Sequence, residues 1–256
     1  MRVRVAGVRA VVLPVLGTLA GVAAWWVVTT VFRIRPFFLP APPDLVAAFR
    51  REPGYLLTAA WQTLWTTVAG FAAATALGFA LAVVLTASDA LERATMPLLV
   101  ALNAVPKVAL APLLVVWLGF GVRPEILMVL LIGLFPIVVS TTSGLTSTPS
   151  DLGELARSLS PPWWRTYLKV RLPWALPQIF TGLKVAVSLC LIGAVVAEIA
   201  NPGRGLGAVI VLSGTSLDTP LAFAAIGLLA VTSLALFYAV AGAERLLVPW
   251  ARAISG

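Results

Sequence analysis

The sequence predicts an all-α polytopic membrane protein with about six transmembrane helices, and composition is the first reason. Of the 256 residues, 60% are hydrophobic and 11% are charged, whereas soluble domains are about 45–50% apolar and about one-quarter charged. The apolar residues are gathered into runs of about 20 or more, the length that a helix needs to cross a bilayer. Because backbone polar groups in lipid must be satisfied within each segment, runs of this length are expected to be helices.

Six runs reach this length, and each ends at charged or turn-forming residues. The first follows a basic start, as a signal peptide does, but it continues to Phe32 without a polar break that carries a cleavage site, so we expect it to be retained. No repeat or low-complexity tract divides the chain, and we expect residues 1–256 to form a single transmembrane domain. The predicted spans are Val11–Phe32, Trp61–Thr86, Met96–Leu118, Glu125–Leu145, Pro177–Ala200 and Pro220–Ala241.

The net charge of +8 is carried mainly by the connectors between these runs, where Lys and Arg set the orientation of a membrane protein. With the N-terminus in the cytoplasm, ten basic residues fall on the inner side and six on the outer side. The count predicts cytoplasmic N- and C-termini, although the first outer loop is itself basic. No basic stripe is interleaved with aromatic residues, so we expect no nucleic-acid partner.

The residue types that most enzymes and metal sites require are scarce in this sequence. Histidine, the commonest metal ligand and general base, is absent. The only cysteine, Cys190, lies in an apolar run and can form no internal disulfide. The G-x-x-x-x-G-K-[ST] phosphate loop is also absent. We therefore expect no catalytic residue, no metal, no cofactor and no ATP hydrolysis by this chain.

The outer connector, residues 33–60, is too long for a simple turn. Its prolines should end the first span, and Asp44 is then expected to cap a short helix that carries Leu45, Val46 and Phe49 on one side. We expect this helix to lie in the outer membrane–water interface.

The inner connector, residues 150–173, has the strongest local pattern. Asp151 and Glu154 have the spacing of a capping box, so a helix is expected to begin there. Ser160, followed by two prolines, predicts a second helix, which should stop before Pro173. The residues leave two interpretations open: a surface that docks into a partner and transmits force, or a basic and aromatic anchor to lipid headgroups.

This connector resembles the EAA motif of bacterial ABC importer permeases. That pattern is E-A-A, three residues, G, nine residues, I, one residue, and L-P. Val170 is a mild change from it, and Leu155 and Ser160 depart from it, but Ser160 with its two prolines offers another way to make the turn that the glycine makes. The matching residues are Glu154, Ala156, Leu172 and Pro173.

Other segments resemble one subgroup of these permeases, which handles nitrate, sulfonates, taurine, bicarbonate and thiamine-precursor pyrimidines. The resemblance covers residues 38–241. The segments that carry it are Phe38–Pro42, Pro106–Leu113, Trp117–Gly121, Ala197-Glu198 and Gly205-Leu206-Gly207.

The resemblance implies a type I importer permease fold (MetI-like) in the bacterial inner membrane. It also implies a permease dimer, taken as a homodimer, with two separate ATPase subunits inside and a substrate-binding protein or lipoprotein outside. Residues 150–173 would then form the coupling helices that dock into the ATPase subunits. The implied coupling residues are Glu154, Leu155, Ala156, Ser160, Trp163, Trp164, Arg165, Leu172 and Pro173.

Lys107 is a candidate pathway residue because it lies near the middle of the third run, between Pro106 and Pro112. A lysine at the centre of an isolated span costs roughly 2.5–3.5 kcal/mol, so it should face protein or water. It either attracts an anionic or electron-rich substrate or pairs with the buried acid Glu198. The prolines should break the helix, and a break at membrane depth survives only against protein or a cavity.

Glu198, near the outer end of the fifth run, is the other candidate pathway residue. It either belongs to an outer gate or pairs with Arg204. A secondary transporter or channel without ATP remains an alternative function, and it predicts acidic residues or half-helices at repeated positions in the membrane. Gly70 and Gly78 are expected to allow close helix packing.

Overall fold

The computed structural model describes residues 2–149 and 163–250, and within these ranges the chain is a bundle of helices without strands. A 3-10 turn, Lys107–Leu110, joins α4 to α5, and a short helix, Trp163–Thr166, with a π turn, Tyr167–Arg171, leads into α7. The helices are α1 (Arg2–Val31), α2 (Pro42–Arg51), α3 (Pro53–Leu85), α4 (Asp89–Ala104), α5 (Ala111–Leu118), α6 (Val122–Thr146), α7 (Leu172–Ala200), α8 (Gly205–Thr215) and α9 (Thr219–Leu247).

Five of these helices, α1, α3, α6, α7 and α9, are long and apolar enough to cross a membrane. The pair α4 and α5 makes a sixth span if its two arms are counted together. The predicted all-α architecture with about six spans is therefore confirmed.

The outer connector is shorter than predicted, because α3 begins at Pro53 rather than near Trp61. Proline suits the first turn of a helix, where its missing N–H is not needed, and the added first turns bury Leu56 and Ala59. The short helix α2 is present, but it begins at Pro42, and the Asp44 carboxylate reaches back to accept a hydrogen bond from the Ala41 N–H (2.8 Å).

The centre of the bundle is formed by α3, α6 and α7, which pack closely through small residues. A Cβ at Gly70 would lie 2.5 Å from the Val129 Cβ, and one at Gly78 would lie 2.8 Å from the Ile137 Cγ2. The predicted close packing at both glycines is confirmed. Small side chains permit such backbone approach within a membrane, where the hydrophobic effect does not hold helices together.

The third span is broken, as its prolines predict. The arms Ala90–Ala104 and Lys107–Leu118 meet at 70°, because Pro106 can neither donate a backbone hydrogen bond nor fit inside an intact helix. Along α4 the apolar side chains of Leu98 and Leu102 stay exposed, at 58% and 56%. This arm therefore leaves an apolar surface uncovered within the single chain.

The entry to α7 differs from the sequence prediction, because the helix does not stop before Pro173. The π turn Tyr167–Arg171 precedes this proline, and the Leu172 N–H donates to the Tyr167 carbonyl. A π turn widens the helix by one residue, which relieves crowding where the proline ring would press on the preceding turn. The lead-in and α7 therefore form one continuous helical segment.

Candidate functional site

Of the nine predicted coupling residues, the structure describes five. Glu154, Leu155, Ala156 and Ser160 lie outside the described residues, so their docking role stays a prediction. Trp163 and Trp164 belong to the short helix that leads into α7.

At the end of the inner connector, some side chains are exposed and others are partly buried against the bundle. Arg165 is exposed, while Leu172 and Pro173 are half-buried. Leu172 packs against a cluster formed by Leu145, Ala175 and Ile179. The last part of the connector is therefore anchored to the C-terminal end of α6 and the N-terminal end of α7.

Lys107 occupies the first position of the 3-10 turn at the break of the third span. Its ammonium group donates to the Asn103 side-chain oxygen and lies 5.9 Å from the centre of the Phe135 ring, within the range of a cation–π interaction. In the described ranges no carboxylate lies within 4.0 Å of it. The proposed pair between Lys107 and Glu198 is therefore wrong for this arrangement.

Glu198 is fully buried and caps the first turn of α8. Its carboxylate accepts a hydrogen bond from the Gly207 N–H (2.8 Å). Thr63 accepts from the Leu206 N–H (2.8 Å). These side chains, from α7 and α3, satisfy backbone donors that a helix start leaves unpaired.

A third side chain completes this arrangement. Gln62 of α3 accepts from the Gly205 N–H through its side-chain oxygen (2.9 Å). Gly205 has φ +82°, and a Cβ there would overlap the Glu198 carboxyl group. Three side chains from two spans and one glycine thus fix the position of α8.

Arg204 pairs with Glu125 rather than with Glu198, which corrects the predicted bridge. Its Nε lies 3.8 Å from a carboxylate oxygen of Glu125. Asn201 donates to that same oxygen (3.2 Å) and to the Gly121 carbonyl (3.0 Å). These contacts tie the turn between α7 and α8 to the start of α6.

The sequence does not predict an ion pair that joins two of the long apolar helices. Lys184, near the middle of α7, lies 2.9 Å from a carboxylate oxygen of Glu244, near the C-terminal end of α9. The two residues are 60 positions apart, so no local pattern joins them. The one available signal was Lys184 itself, since a charge inside an apolar run requires a partner.

Glu125 and the pair Gln62 and Thr63 were also missed as members of the site. A signal existed for each, because polar residues within apolar runs are costly unless they are hydrogen-bonded. No group of three metal-ligating side chains suited to a metal ion occurs in the part of the chain that the structure describes.

The region of this chain that resembles known proteins includes both the broken third span and the capped helix α8. Residues 74–252 match the model of a family described as binding-protein-dependent transport system inner membrane component. The chain is 33% identical over 217 residues to the formylaminopyrimidine transport permease protein ThiX of Halalkalibacterium halodurans, covering 84% of this chain and 87% of the relative.

Two further relatives carry other substrates in their names. The taurine transport system permease protein TauC of Escherichia coli is 29% identical over 92% of this chain and 88% of its own length. A putative aliphatic sulfonates transport permease protein, SsuC of Bacillus subtilis, is 29% identical over 92% of this chain and 86% of its own length. The similarity therefore extends along nearly the whole chain.

Proposed function

The chain belongs to the family of binding-protein-dependent transport system inner membrane components, and we propose that it forms the translocation pathway of an ATP-driven importer. The observation that carries this proposal is the family match over residues 74–252, which includes the broken third span. A separate substrate-binding protein would deliver the solute, and separate ATPase subunits would supply the energy. The chain itself is a transport component and not an enzyme.

The assembly that we propose contains two copies of this chain. In the single chain the apolar surface of α4 and the break beside it are exposed. Broken helices at membrane depth persist only against protein or a water-filled cavity. A second copy supplies the protein surface, and the space between the two copies supplies the cavity.

The orientation follows the charge count, with both termini in the cytoplasm. Residues 150–173 then face the cytoplasm and dock into the ATPase subunits. This proposal is supported by the EAA-like pattern and by Leu172, which joins the connector to the core of the bundle.

Lys107 and Pro106 are proposed to line the pathway, whereas Glu198 is buried beneath α8 and has no exposed surface. Lys184 already pairs with Glu244. Lys107, by contrast, lies at a break, and the partners that the described part of the chain gives it are the Asn103 amide and the Phe135 ring. Its charge is therefore available to a solute.

Lys107→Met is expected to lower solute uptake by about tenfold, because it removes a charge worth about 1–2 kcal/mol to a passing anion. Lys107→Arg keeps the charge and should retain most of the uptake. Uptake by the importer reconstituted in vesicles measures both variants. Normal uptake by the Met variant at unchanged ATPase levels contradicts a role for this lysine in the pathway.

The substrate that we propose is a small anion of the sulfonate, nitrate or bicarbonate kind, or a pyrimidine precursor of thiamine. The named relatives support both groups, since they transport formylaminopyrimidine, taurine and sulfonates by name. Lys107, which has no carboxylate partner among the described residues, favours the anions.

The test is to co-express the chain with candidate ATPase and binding-protein subunits from the same organism and to purify the complex. ATP turnover is then measured with the binding protein and each candidate solute in turn. We expect one solute to stimulate turnover and to accumulate in vesicles only with ATP. Solute flux through this chain alone, without ATP, would support the alternative of a secondary transporter or channel.

A further inference from the structure

A small cavity lies between the N-terminal part of α3 and the helix α8. Its volume is about 130 Å³, below the roughly 300–1,000 Å³ of sites that enclose drug-sized ligands. A water molecule takes up about 30 Å³ in the liquid, so the cavity has room for a small ligand. The polar side chains of its lining are those of Tyr55, Thr58, Gln62 and Arg204.

The side-chain amide of Gln62 has a fixed orientation at this cavity. Its oxygen accepts from the Gly205 N–H (2.9 Å), and of the two ends of an amide only the oxygen can accept a hydrogen bond. The NH2 group therefore keeps two donors, which make no hydrogen bond within the described residues. These donors are available to a ligand.

Among the described residues, Arg204 supplies the one charged side chain of the lining. Its Nε lies 3.8 Å from a carboxylate oxygen of Glu125, which is longer than the about 2.7–3.2 Å of a hydrogen bond. This Nε is buried and has no hydrogen-bond partner in the described ranges. Because a buried donor without a partner is costly, a ligand oxygen beside this guanidinium would be stabilising.

The buried acids of the neighbouring turn do not line the cavity. Glu125 and Glu198 are both 0% exposed. Asn201 donates to Glu125 (3.2 Å), and the Gly207 N–H donates to Glu198 (2.8 Å). The carboxylates are therefore engaged by protein donors, while the amide, guanidinium and hydroxyl groups of the lining remain for an acceptor-rich ligand.

The cavity has a fixed wall and an accessible side. Its apolar residues Ala59 and Val209 belong to the core cluster that joins α3 to α8. Its lining also includes Tyr55 and Leu212, which are 44% and 46% exposed, so a ligand can reach it from outside the protein. A site built on packed helices holds its donors in place before a ligand binds.

We propose that this cavity binds one small oxyanion, a sulfonate, carboxylate or phosphate group whose oxygens accept from Arg204 and Gln62. Guanidinium groups suit such ligands because their parallel N–H donors match two oxygens of one anion. Two sources carry this chemistry, a soluble anion and the phosphate of a lipid headgroup. For a soluble anion, the further role of an entry site on the outer side rests on the proposed function and orientation.

The test measures binding of ethanesulfonate to the purified full chain in nanodiscs by titration calorimetry. Ethanesulfonamide, which has a similar shape and no charge, is the matched control ligand. We expect saturable binding of ethanesulfonate with a dissociation constant at least about tenfold lower, because hydrogen bonds to charged groups are roughly twice as strong as neutral ones. Absence of saturable binding overturns the proposal.

Two variants test the residues of the cavity. Gln62→Glu keeps an oxygen for the Gly205 N–H but replaces the two donors by an oxygen that repels an anion, and Arg204→Gln removes the charge. Both should raise the dissociation constant at least about tenfold. Arg50→Gln, which removes an exposed arginine outside the lining, is the control and should leave it unchanged.

The thermal unfolding midpoint of Gln62→Glu without ligand should stay close to that of the unmodified chain, because the contact with Gly205 is kept. A loss of affinity in this variant is then a loss of the site and not of the fold. Equal dissociation constants for the unmodified chain, Gln62→Glu and Arg204→Gln overturn the proposal.

The lipid of the nanodisc separates the two sources of the oxyanion. If a headgroup phosphate fills the cavity, ethanesulfonate binds more weakly in phosphatidylcholine than in a neutral glycolipid without phosphate. Equal affinities in the two lipids assign the site to a soluble anion. Either result supports an oxyanion site, provided that the two cavity variants weaken binding in the glycolipid.

Failure of the importer function has a different signature, since this binding requires neither ATPase subunits nor a binding protein. If the assembled complex shows no ATP-dependent uptake but the variants lose ethanesulfonate as expected, the proposed function falls and the site stands. If uptake occurs and the cavity variants bind ethanesulfonate normally, only the site falls.

Discussion

Gly205→Ala is expected to destabilise the folded permease by about 3 kcal/mol. A side chain in the left-handed conformation costs about 1–2 kcal/mol, and Gly205 has φ +82°. The new Cβ would also displace the Glu198 carboxyl group. That displacement breaks the hydrogen bond to the Gly207 N–H, and hydrogen bonds to charged groups contribute about 1.5–3 kcal/mol.

The measurement is the midpoint of thermal unfolding in detergent, which should fall by at least about 5 °C. Gly203→Ala is the matched control, because a Cβ at Gly203 meets nothing within 4 Å. Equal midpoints for the two variants would show that α8 does not depend on the contact between Gly205 and Glu198.

The spans were predictable because their cause is local. About 20 apolar residues in sequence must be helical in lipid wherever they lie in the bundle. The break at Pro106 was predictable for the same reason, since a proline removes a hydrogen bond from its own helix. The helix ends were not predictable to the residue, as Pro53 and Pro173 show. The sequence predicts that each proline lies outside a helix, but a first turn accommodates Pro53 and a π turn precedes Pro173.

The contacts within the candidate site were not predictable, because they join distant parts of the chain. Gln62 and Gly205 are 143 positions apart, and their hydrogen bond depends on how α3 packs against α8. Separation in the sequence also explains the wrong pairing of Lys107 with Glu198. Sequence shows that a buried charge needs a partner, but the packing of the helices decides which partner it meets.

For the inner connector the evidence comes from the sequence and not from the structure, because most of residues 150–173 lie outside the described residues. If residues 150–173 dock into an ATPase subunit, Glu154, in the first turn of the helix that the sequence predicts there, contributes a negative charge to that interface. Leu172, at the other end, is packed against the core. Movement of the docked helices would therefore be transmitted directly to α7, the most central span.

Glu154→Arg is accordingly expected to abolish ATP-dependent uptake, with a loss of at least about 100-fold. Reversing a charge at a buried interface costs several kcal/mol through repulsion between like charges. Trp164→Asp should have the same effect by placing a charge where an aromatic anchor is expected. Uptake in vesicles and co-purification of the ATPase subunits measure both effects.

The matched control for this charge reversal is Glu52→Arg at the outer end, where the native pair with Arg51 is exposed and 3.8 Å long. Exposed pairs contribute about 0–1 kcal/mol, so this variant should still bind the ATPase subunits and insert normally. If the Glu154→Arg variant retains the ATPase subunits and takes up solute normally, the inner connector contacts lipid rather than the ATPase subunits. The energy of ATP would then have to reach the bundle through a different surface.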